Sequence, residues 1–460
     1  MPEAKDLRIC VIGAGSMSFM ANLVRDLAVT KGLQGATISL MDVDSERLRM
    51  GYSLARRYFE AVKADYRVEA TTDRREAVRG ADFVINLAFA IGYSNLGAMI
   101  EVAERHGYYR GLDATEWNMV NTYPTFTAYK QYAVALGLAE DMLELAPDAW
   151  LIQVSNPVLE ISTLLYRRTR GRLKVIGYCH GAPGGVELLA RRALGLDTHR
   201  VDFQVAGFNH VVFLTKFLYD GVDAYHLIDE WVEERFSDFW RSAVLGPWEE
   251  TLSRAAVDMY RLYGLYPVGD TARSGTWKYH RDFRTKQYWY GPLGGVDSEA
   301  GWALRLLLNR RAMERLRRLA FDPEVNVVGE LPPVKSGEHI VDIIDSIANR
   351  VERRLILNIP NRGVLPRLPP DVFVEVPVRI SGGQLNPEQV ALPNKVYAYV
   401  LYPRLERLEW ALEAFEAGSR ELLVDVLMRD PRTRSYEQAR EAVEAVLNLP
   451  FNEDLKIHYR

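Results

Sequence analysis

The sequence is poor in three features that reveal where a protein works. It has only 2 cysteines, Cys10 and Cys179, in 460 residues, too few for a disulfide framework and typical of a reducing compartment. It has no apolar run long enough to cross a bilayer, and it does not open with a secretory leader pattern. The net charge of -4 argues against nucleic acid or an anionic membrane as a partner. We therefore expect a cytoplasmic protein that acts on a small molecule.

The pattern of apolar segments predicts the fold class. Length alone predicts about two domains. Short apolar runs alternate with amphipathic segments through the first 200 residues, which predicts an α/β domain with a Rossmann-type, doubly wound parallel sheet like that of lactate and malate dehydrogenases. Strands are predicted at 8–12, 38–41, 83–87, 151–154 and 175–178, and helices at 45–61 and 127–146. Strands at 201–210 and 211–218, followed by mixed segments, predict a C-terminal α+β catalytic domain. The predicted domains are 1–200, the Rossmann unit, and 201–460.

The segment 13–18 (GAGSMS) stands where a Rossmann fold holds a pyrophosphate, between the first strand and a helix. Ser18 replaces the third glycine of the usual fingerprint. Asp42 ends the second strand, where a carboxylate binds the ribose hydroxyls of NAD and repels the 2′-phosphate of NADP. The alternative is a tight turn without a nucleotide, with Asp42 as a helix cap, which Asp44 could provide equally well. The predicted cofactor contacts are Gly13, Gly15, Ser16, Met17, Asp42 and Asn86.

A cysteine and a histidine at strand ends indicate a metal site. Cys179 follows the strand 175–178, and His210 ends the strand 201–210. Thiolate and imidazole are favoured ligands of transition metals. The alternative is that Cys179 is a small buried hydrophobe and His210 a structural histidine.

Other polar residues could contact a sugar. Asn156 follows the strand 151–154 and offers a donor and an acceptor, or else it caps the helix before Pro157. The segment 269–273 (GDTAR) combines a carboxylate with a guanidinium, and Trp277, Tyr279 and His280 follow it. Carboxylates and guanidinium groups bind hydroxyls and carboxylates, and aromatic rings bind sugar faces. A surface Asp/Arg loop is the alternative.

Taken together, these motifs resemble glycoside hydrolase family 4. The matching segments are 13–16 (GAGS), 155–157 (SNP), 179–181 (CHG), 207–210 (GFNH) and 269–273 (GDTAR). The resemblance implies NAD and a divalent metal, usually Mn2+, with Cys179 and His210 as metal ligands. It also implies a mechanism in which the nicotinamide oxidises sugar carbon 3, a base removes the proton on carbon 2, and the aglycone leaves before water adds and the hydride returns.

The resemblance also implies roles for individual residues. Asp270 matches the proposed base, with Tyr279 the next candidate, and His180 matches the proposed acid. The residues expected to bind substrate are Asn118, Asn156, Asn209 and Arg273. The segment 179–182 (CHGA) resembles the subgroup associated with α-glucuronidases, so an α-glucuronide is the leading substrate, with α-glucosides and α-galacturonides open. The cations available for a uronate carboxylate are Arg273, Lys278, Arg110 and His280.

Two hypotheses from other classes compete with a glycosidase. A plain NAD-dependent dehydrogenase of 2-hydroxy acids would share the dinucleotide motif and need no Cys179. A redox-sensing protein would bind NAD without turnover. A metal site at Cys179 and His210 would argue against both. The family resemblance further suggests a homodimer or homotetramer.

Overall fold

A single sheet of 13 strands runs through the protein. The computed structural model describes residues 6–16, 19–112, 126–274 and 276–460. The strands are β1 (Arg8–Ile12), β2 (Thr37–Met41), β3 (Arg67–Thr71), β4 (Phe83–Asn86), β5 (Trp150–Gln153), β6 (Lys174–Gly177), β7 (Val201–Phe208), β8 (Val211–Tyr219), β9 (Val222–Asp223), β10 (Tyr266–Val268), β11 (Arg353–Pro360), β12 (Phe373–Ser381) and β13 (Gln384–Pro387). The strand order is β10-β8-β7-β12-β11-β6-β5-β4-β1-β2-β3, with β13 paired to β12 and β9 to β8.

The first six strands form the predicted Rossmann unit. They are all parallel and lie in the order β3-β2-β1-β4-β5-β6, the order of dinucleotide-binding folds. Every residue of β2 and β4 is buried, because helices cover both faces of a parallel sheet. The five strands predicted in this unit lie within one residue of the observed ones. The prediction missed β3, whose largely exposed residues at the sheet edge give no apolar run.

Helices cover the sheet and form most of the C-terminal third. They are α1 (Met20–Val29), α2 (Ser45–Val62), α3 (Arg74–Val78), α4 (Tyr93–Arg105), α5 (Phe126–Leu145), α6 (Val158–Thr169), α7 (Gly181–Leu188), α8 (His226–Glu230), α9 (Phe236–Ser242), α10 (Arg254–Tyr263), α11 (Phe283–Tyr290), α12 (Glu299–Phe321), α13 (Val327–Glu330), α14 (Ile340–Ala348), α15 (Asn394–Val396), α16 (Tyr402–Ala417), α17 (Arg420–Met428), α18 (Tyr436–Leu447) and α19 (Glu453–His458). Within the described ranges, none of them has both the length and the apolarity needed to cross a membrane.

The strands after residue 200 extend the same sheet. They pair antiparallel with one another, and they join the Rossmann unit where Asn358 of β11 pairs with Gly177 of β6. A Cβ atom at Gly177 would lie 2.7 Å from the Asn358 Cβ, so this junction requires glycine. On the far side of the junction, Glu375 of β12 pairs with Gly207 of β7. The sheet is therefore continuous across the predicted domain boundary, and the division at residue 200 stays a prediction.

Two glycines bring α7 against the segment that follows β10. A Cβ at Gly185 would lie 2.1 Å from the Gly269 backbone nitrogen, and a Cβ at Gly269 would lie 2.5 Å from the Gly181 carbonyl oxygen. Neither position has room for a side chain. The start of α7, next to Cys179, therefore lies in contact with the short 3₁₀ helix Gly269–Ser274.

Candidate active site

A cavity of about 1260 Å³ opens at the carboxyl ends of the parallel strands. Its size exceeds the usual 300–1,000 Å³ or so of a small-molecule site, so it has room for a dinucleotide and a second ligand. Eight predicted site residues line it: Gly13, Gly15, Ser16, Asp42, Asn156, His210, Asp270 and Arg273. The structure thus brings the predicted dinucleotide turn and the GDTAR segment into one cavity.

The turn after β1 forms one end of this cavity. Gly13 has a φ of 84°, and a Cβ there would lie 2.8 Å from the Ala88 backbone nitrogen, so the wall requires glycine. The Gly15 amide donates to the Asp42 carboxylate at 2.9 Å. Asp44, and not Asp42, caps α2 by accepting from the Glu46 and Arg47 amides. Asp42 therefore faces the cavity, and the alternative that it is the helix cap is excluded.

The helix after the turn is suited to an anion. At the start of α1 the described residues provide neither a side-chain cap nor an acidic group in the first turn, so no negative charge there opposes a pyrophosphate at the positive end of the helix dipole. Of the other predicted cofactor contacts, Met17 lies outside the described residues. Asn86 is buried behind the cavity wall, where it donates to Gln153 at 2.9 Å and accepts from the Ala88 amide at 3.2 Å. Asn86 therefore holds the wall in place.

Asp42 should make the protein prefer NAD to NADP. A carboxylate about 4 Å from a phosphate costs on the order of 1 kcal/mol in water and about 4 kcal/mol near a protein surface, so NADP should bind at least about fivefold more weakly than NAD. Titration of each cofactor gives the two dissociation constants. Asp42→Asn should narrow the difference between the two affinities, whereas the control Glu46→Gln, in the first turn of α2 outside the cavity, should preserve it. Equal affinities in the wild-type protein would contradict the assignment.

Three side chains meet at the other end of the cavity. Cys179, His210 and Asp270 each offer one ligand atom, and these atoms lie within 4.8 Å of one another. His210 Nε2 is 3.4 Å from an Asp270 carboxylate oxygen. Such spacing suits a single transition-metal ion with bonds of about 2.0–2.3 Å to each atom. The structure therefore brings together the two predicted ligands and places the carboxylate of the predicted base, Asp270, beside them.

The protonation states fit a cation at this point. Burial lowers the pKa of His210 to about 4, so its imidazole is neutral and can act as a ligand at neutral pH. Burial also raises the pKa of the Cys179 thiol well above its ordinary value, and the carboxylates of Glu375 and Asp270 raise it further. Burial opposes the ionisation of Asp270, but the Arg273 guanidinium beside it holds the pKa of that carboxyl below its ordinary value. A divalent ion would supply the positive charge that the Cys179 thiolate needs.

A buried carboxylate that the sequence analysis missed lies behind this cluster. Glu375 is 1% exposed and accepts hydrogen bonds from Asn209 at 2.9 Å and from Asn358 at 3.0 Å. Burial raises the pKa of Glu375 to about 7. Asn209, a predicted substrate contact, thus donates one amide hydrogen to Glu375. This bond fixes the turn that carries His210. The signal in the sequence was a single glutamate in the apolar strand Phe373–Ser381.

Arg273 is the cation that lies beside Asp270 in the cavity. It is 4% exposed, forms an ion pair with Asp270, and its Nε lies 3.6 Å from a Glu250 carboxylate oxygen. Its Nη1 is buried and has no hydrogen-bond partner among the described residues. Asn156 Oδ1, at the cavity wall, is buried and equally without a described partner. Both atoms are available to a polar ligand.

The other three cations proposed for a uronate lie elsewhere. His280 is fully buried and bonded to Lys286 and Tyr290. Lys278 donates to Asp258 at 2.6 Å, and Arg110 is buried against Glu104 and the Asp297 carbonyl. Their side chains are committed to other partners away from the cavity, so that expectation was wrong for these three residues.

Two polar residues of α12 line the cavity and were missed from the sequence. Arg305 is buried and donates to the Tyr93 hydroxyl at 3.2 Å, and Asn309 follows one helical turn later. Residues four positions apart share a helix face. The available signal was an Arg and an Asn at this spacing within the apolar stretch 303–309 (ALRLLLN).

The predicted acid is less enclosed than the base. His180 precedes α7, is exposed, and lies against Gly184, where a Cβ would be 3.0 Å from the imidazole Nε2. His180 lies close enough to Asp270 to be one of the groups that lower the pKa of that carboxyl, after Arg273. Asn118, a predicted substrate contact, lies outside the described residues.

Comparison with known sequences identifies the family. A family model described as family 4 glycosyl hydrolase matches residues 8–195, and a model of the C-terminal domain of the same family matches residues 205–433. The chain belongs to family 4 of the glycosyl hydrolases. The predicted family is confirmed, and the chain is a glycoside hydrolase, so a plain dehydrogenase and a redox sensor without turnover are excluded.

Curated family 4 relatives extend over nearly the whole chain. An alpha-galacturonidase of Thermoanaerobacterium saccharolyticum is 26% identical, covering 94% of this chain and 94% of its own. An alpha-glucosidase of Erwinia rhapontici is also 26% identical, covering 96% of this chain and 97% of its own. These two names show that relatives of this chain include enzymes for a uronide and for a glucoside.

Solved structures confirm the fold. A 6-phospho-alpha-glucosidase from gut microorganisms, in complex with NAD and Mn2+, superposes with a TM-score of 0.78 at 16% identity and covers 98% of both chains. A putative glucosidase from Bacillus subtilis gives a TM-score of 0.77 at 22% identity and covers 96% of this chain and 99% of its own. The predicted cofactors, NAD and Mn2+, agree with the first of these complexes.

Proposed function

We propose that this family 4 enzyme hydrolyses α-linked uronides, with an α-glucuronide as the leading substrate, and that it works with NAD and a divalent metal such as Mn2+. The observation that carries the proposal is the shared cavity. The dinucleotide turn at Gly13 and the cluster of Cys179, His210 and Asp270 open onto the same space, with Arg273 beside the cluster.

The residues for both cofactors are present. Gly13, Gly15, Ser16 and Asp42 would hold NAD, and Cys179 with His210 would hold the metal. When bound, NAD supplies reversible oxidation of sugar carbon 3, and the metal supplies a Lewis acid beside the reacting hydroxyls. The free Asn156 Oδ1 lies between the two ends of the cavity, where it can accept a hydrogen bond from a sugar hydroxyl or the nicotinamide amide.

Asp270 is the proposed base. Its ion pair with Arg273 keeps its carboxylate ionised at neutral pH. It would take the proton from carbon 2, which the ketone at carbon 3 makes acidic. His180, on the solvent side of the same cluster, would protonate the departing oxygen.

Arg273 supports a uronide over a neutral sugar. It lines the cavity, is buried, and keeps an Nη1 without a described partner. A guanidinium pairs with a carboxylate through charge-assisted hydrogen bonds, and an unpaired buried donor is costly. The α-galacturonidase relative supports the same class of acidic sugar. The α-glucosidase relative keeps a neutral α-glucoside as the second candidate.

A panel of nitrophenyl glycosides tests the substrate. We expect release of nitrophenol from the α-glucuronide or α-galacturonide only when NAD, Mn2+ and a thiol are all present. The β-linked uronides and the α-glucoside serve as matched controls for linkage and for the carboxylate. Faster hydrolysis of the α-glucoside than of both uronides would reject the acidic substrate and leave the glycosidase assignment intact.

A further inference from the structure

Trp248 occupies an unusual place at the catalytic end of the cavity. It lines the cavity together with Asp270 and Arg273, yet 46% of its surface is exposed to solvent. A tryptophan is the largest side chain, and most of its surface is apolar. The cavity therefore presents an indole that is partly exposed to solvent and not buried in the core.

The turn that carries Trp248 is fixed to the rest of the site. The neighbouring Glu249 accepts a hydrogen bond from the Gly246 amide at 2.7 Å and forms an ion pair with Arg192, just beyond α7. The next residue, Glu250, is 2% exposed and accepts from the Val296 amide at 3.2 Å. The turn is thus fixed by the residues that follow Trp248, so ligand binding requires little further ordering of this loop and little entropic cost.

The same turn is connected to the base. Glu250 lies 3.6 Å from Arg273 through its carboxylate, and Arg273 in turn pairs with Asp270. Thr251 donates to the Gly269 carbonyl at 3.2 Å. The position of the indole is therefore set relative to the reacting sugar, and not only relative to the surface.

We propose that Trp248 is the platform for the leaving group of the glycoside, where it stacks on a ring: the next sugar of an oligosaccharide or an aryl group. This inference rests on the proposed function, which places the reacting sugar against Asp270 and the metal ligands. The proposed acid His180 is exposed beside Asp270, so the bond whose oxygen it protonates would lie on the solvent side of the cluster. A ring leaving in that direction meets the exposed indole, and aromatic faces bind the apolar faces of sugars and aryl rings.

The test varies the leaving group and keeps the sugar constant. The sugar that the wild-type enzyme hydrolyses is prepared with three leaving groups: a nitrophenyl group, a second sugar (a disaccharide) and a methyl group. In Trp248→Ala we expect kcat/KM to fall about tenfold or more for the nitrophenyl and disaccharide substrates and to stay within about twofold for the methyl glycoside. Trp248→Phe keeps a ring and should restore most of the loss. A loss on the aryl substrate alone would limit the platform to aryl groups and overturn the sugar part of the proposal.

The controls separate this role from folding and from sugar binding. Tyr288→Ala removes another exposed aromatic, which lies outside the cavity, and should change none of the three substrates. NAD affinity and melting temperature should match the wild type in every variant. An equal loss of kcat/KM on the methyl glycoside would overturn the proposal. So would a loss that varies when the sugar is changed and the nitrophenyl leaving group is kept. A wild-type enzyme that hydrolyses no glycoside would instead overturn the proposed function.

Discussion

Cys179→Ser and His210→Ala should each lower kcat by about a thousandfold or more while leaving the protein folded, because loss of the metal removes several kcal/mol of transition-state stabilisation. Both residues lie just beyond strand ends, and His210 lines the cavity, so its truncation enlarges an existing space and removes no packing within a strand. Metal content by elemental analysis, melting temperature and NAD affinity should be measured alongside turnover. We expect bound manganese to drop in both variants and the other two quantities to change little.

Cys10 provides the matched control for Cys179. Cys10 is fully buried in β1, so its thiol does not reach the cavity. Burial also raises the pKa of the Cys10 thiol to about 12, which makes it a poor nucleophile. Cys10→Ala should keep both metal and activity. Loss of activity in air, followed by recovery with a thiol, should then occur in the wild type and in Cys10→Ala alike, because the thiolate of Cys179 is the form that binds metal. Unchanged metal content in both Cys179→Ser and His210→Ala would contradict the assignment of these two residues as metal ligands.

Turnover in deuterated water should place deuterium at carbon 2 of the released sugar. This follows if Asp270 removes the proton on that carbon and solvent later returns one. A glycosidase that uses two carboxylates never breaks the bond, so its product would carry no deuterium there. Mass spectrometry of the product, with NMR to locate the label, gives the result. Product without deuterium at carbon 2 would reject the oxidation and elimination route.

Asp270→Asn tests the residue that takes the proton. An amide cannot accept it, so we expect a rate loss of about 10² to 10⁴ and no exchange at carbon 2. The substrate should still reduce the bound nicotinamide in this variant, which the absorbance of the reduced cofactor would show. Asp258→Asn is the control, because Asp258 binds Lys278 and Tyr279 outside the cavity. Exchange that survives in Asp270→Asn would assign the base to another residue. Tyr279 is then a poor successor, since its hydroxyl donates to Asp258 at 2.6 Å.

The sequence predicted the parts of the site that follow from local order along the chain. Cys179 and Asn156 come directly after apolar strands, and the carboxyl ends of parallel strands meet at one edge of a sheet. A sequence pattern shows where such a strand ends, so the order of residues alone is enough to place these two positions. Asp42 needed one more step, because its role depends on Asp44 being the residue that caps the helix.

The parts that the sequence missed depend on contacts between distant segments. Glu375 meets Asn209 across 166 positions, and no local pattern reports such a pair. Arg305 looks like one more basic residue of a long helix until α12 is seen to cross the cavity. His280 shows the reverse error: its place after the GDTAR segment suggested a ligand contact, but its side chain turns into the core and bonds to Lys286 and Tyr290. Side-chain direction in irregular segments is set by tertiary packing, which periodicity does not reveal.

The junction between β6 and β11 also bears on how the chain folds during synthesis. The six parallel strands are complete once residue 177 has been made, yet the neighbour of β6 begins only at Arg353. Until then, the open edge of β6 exposes unpaired backbone groups, a template for pairing with another chain. Closing that edge requires a contact between residues 177 and 358, and contacts of such long range slow folding. The nascent enzyme thus passes through a stage in which its Rossmann unit is finished but unprotected, and this is the stage at which aggregation competes most strongly with folding.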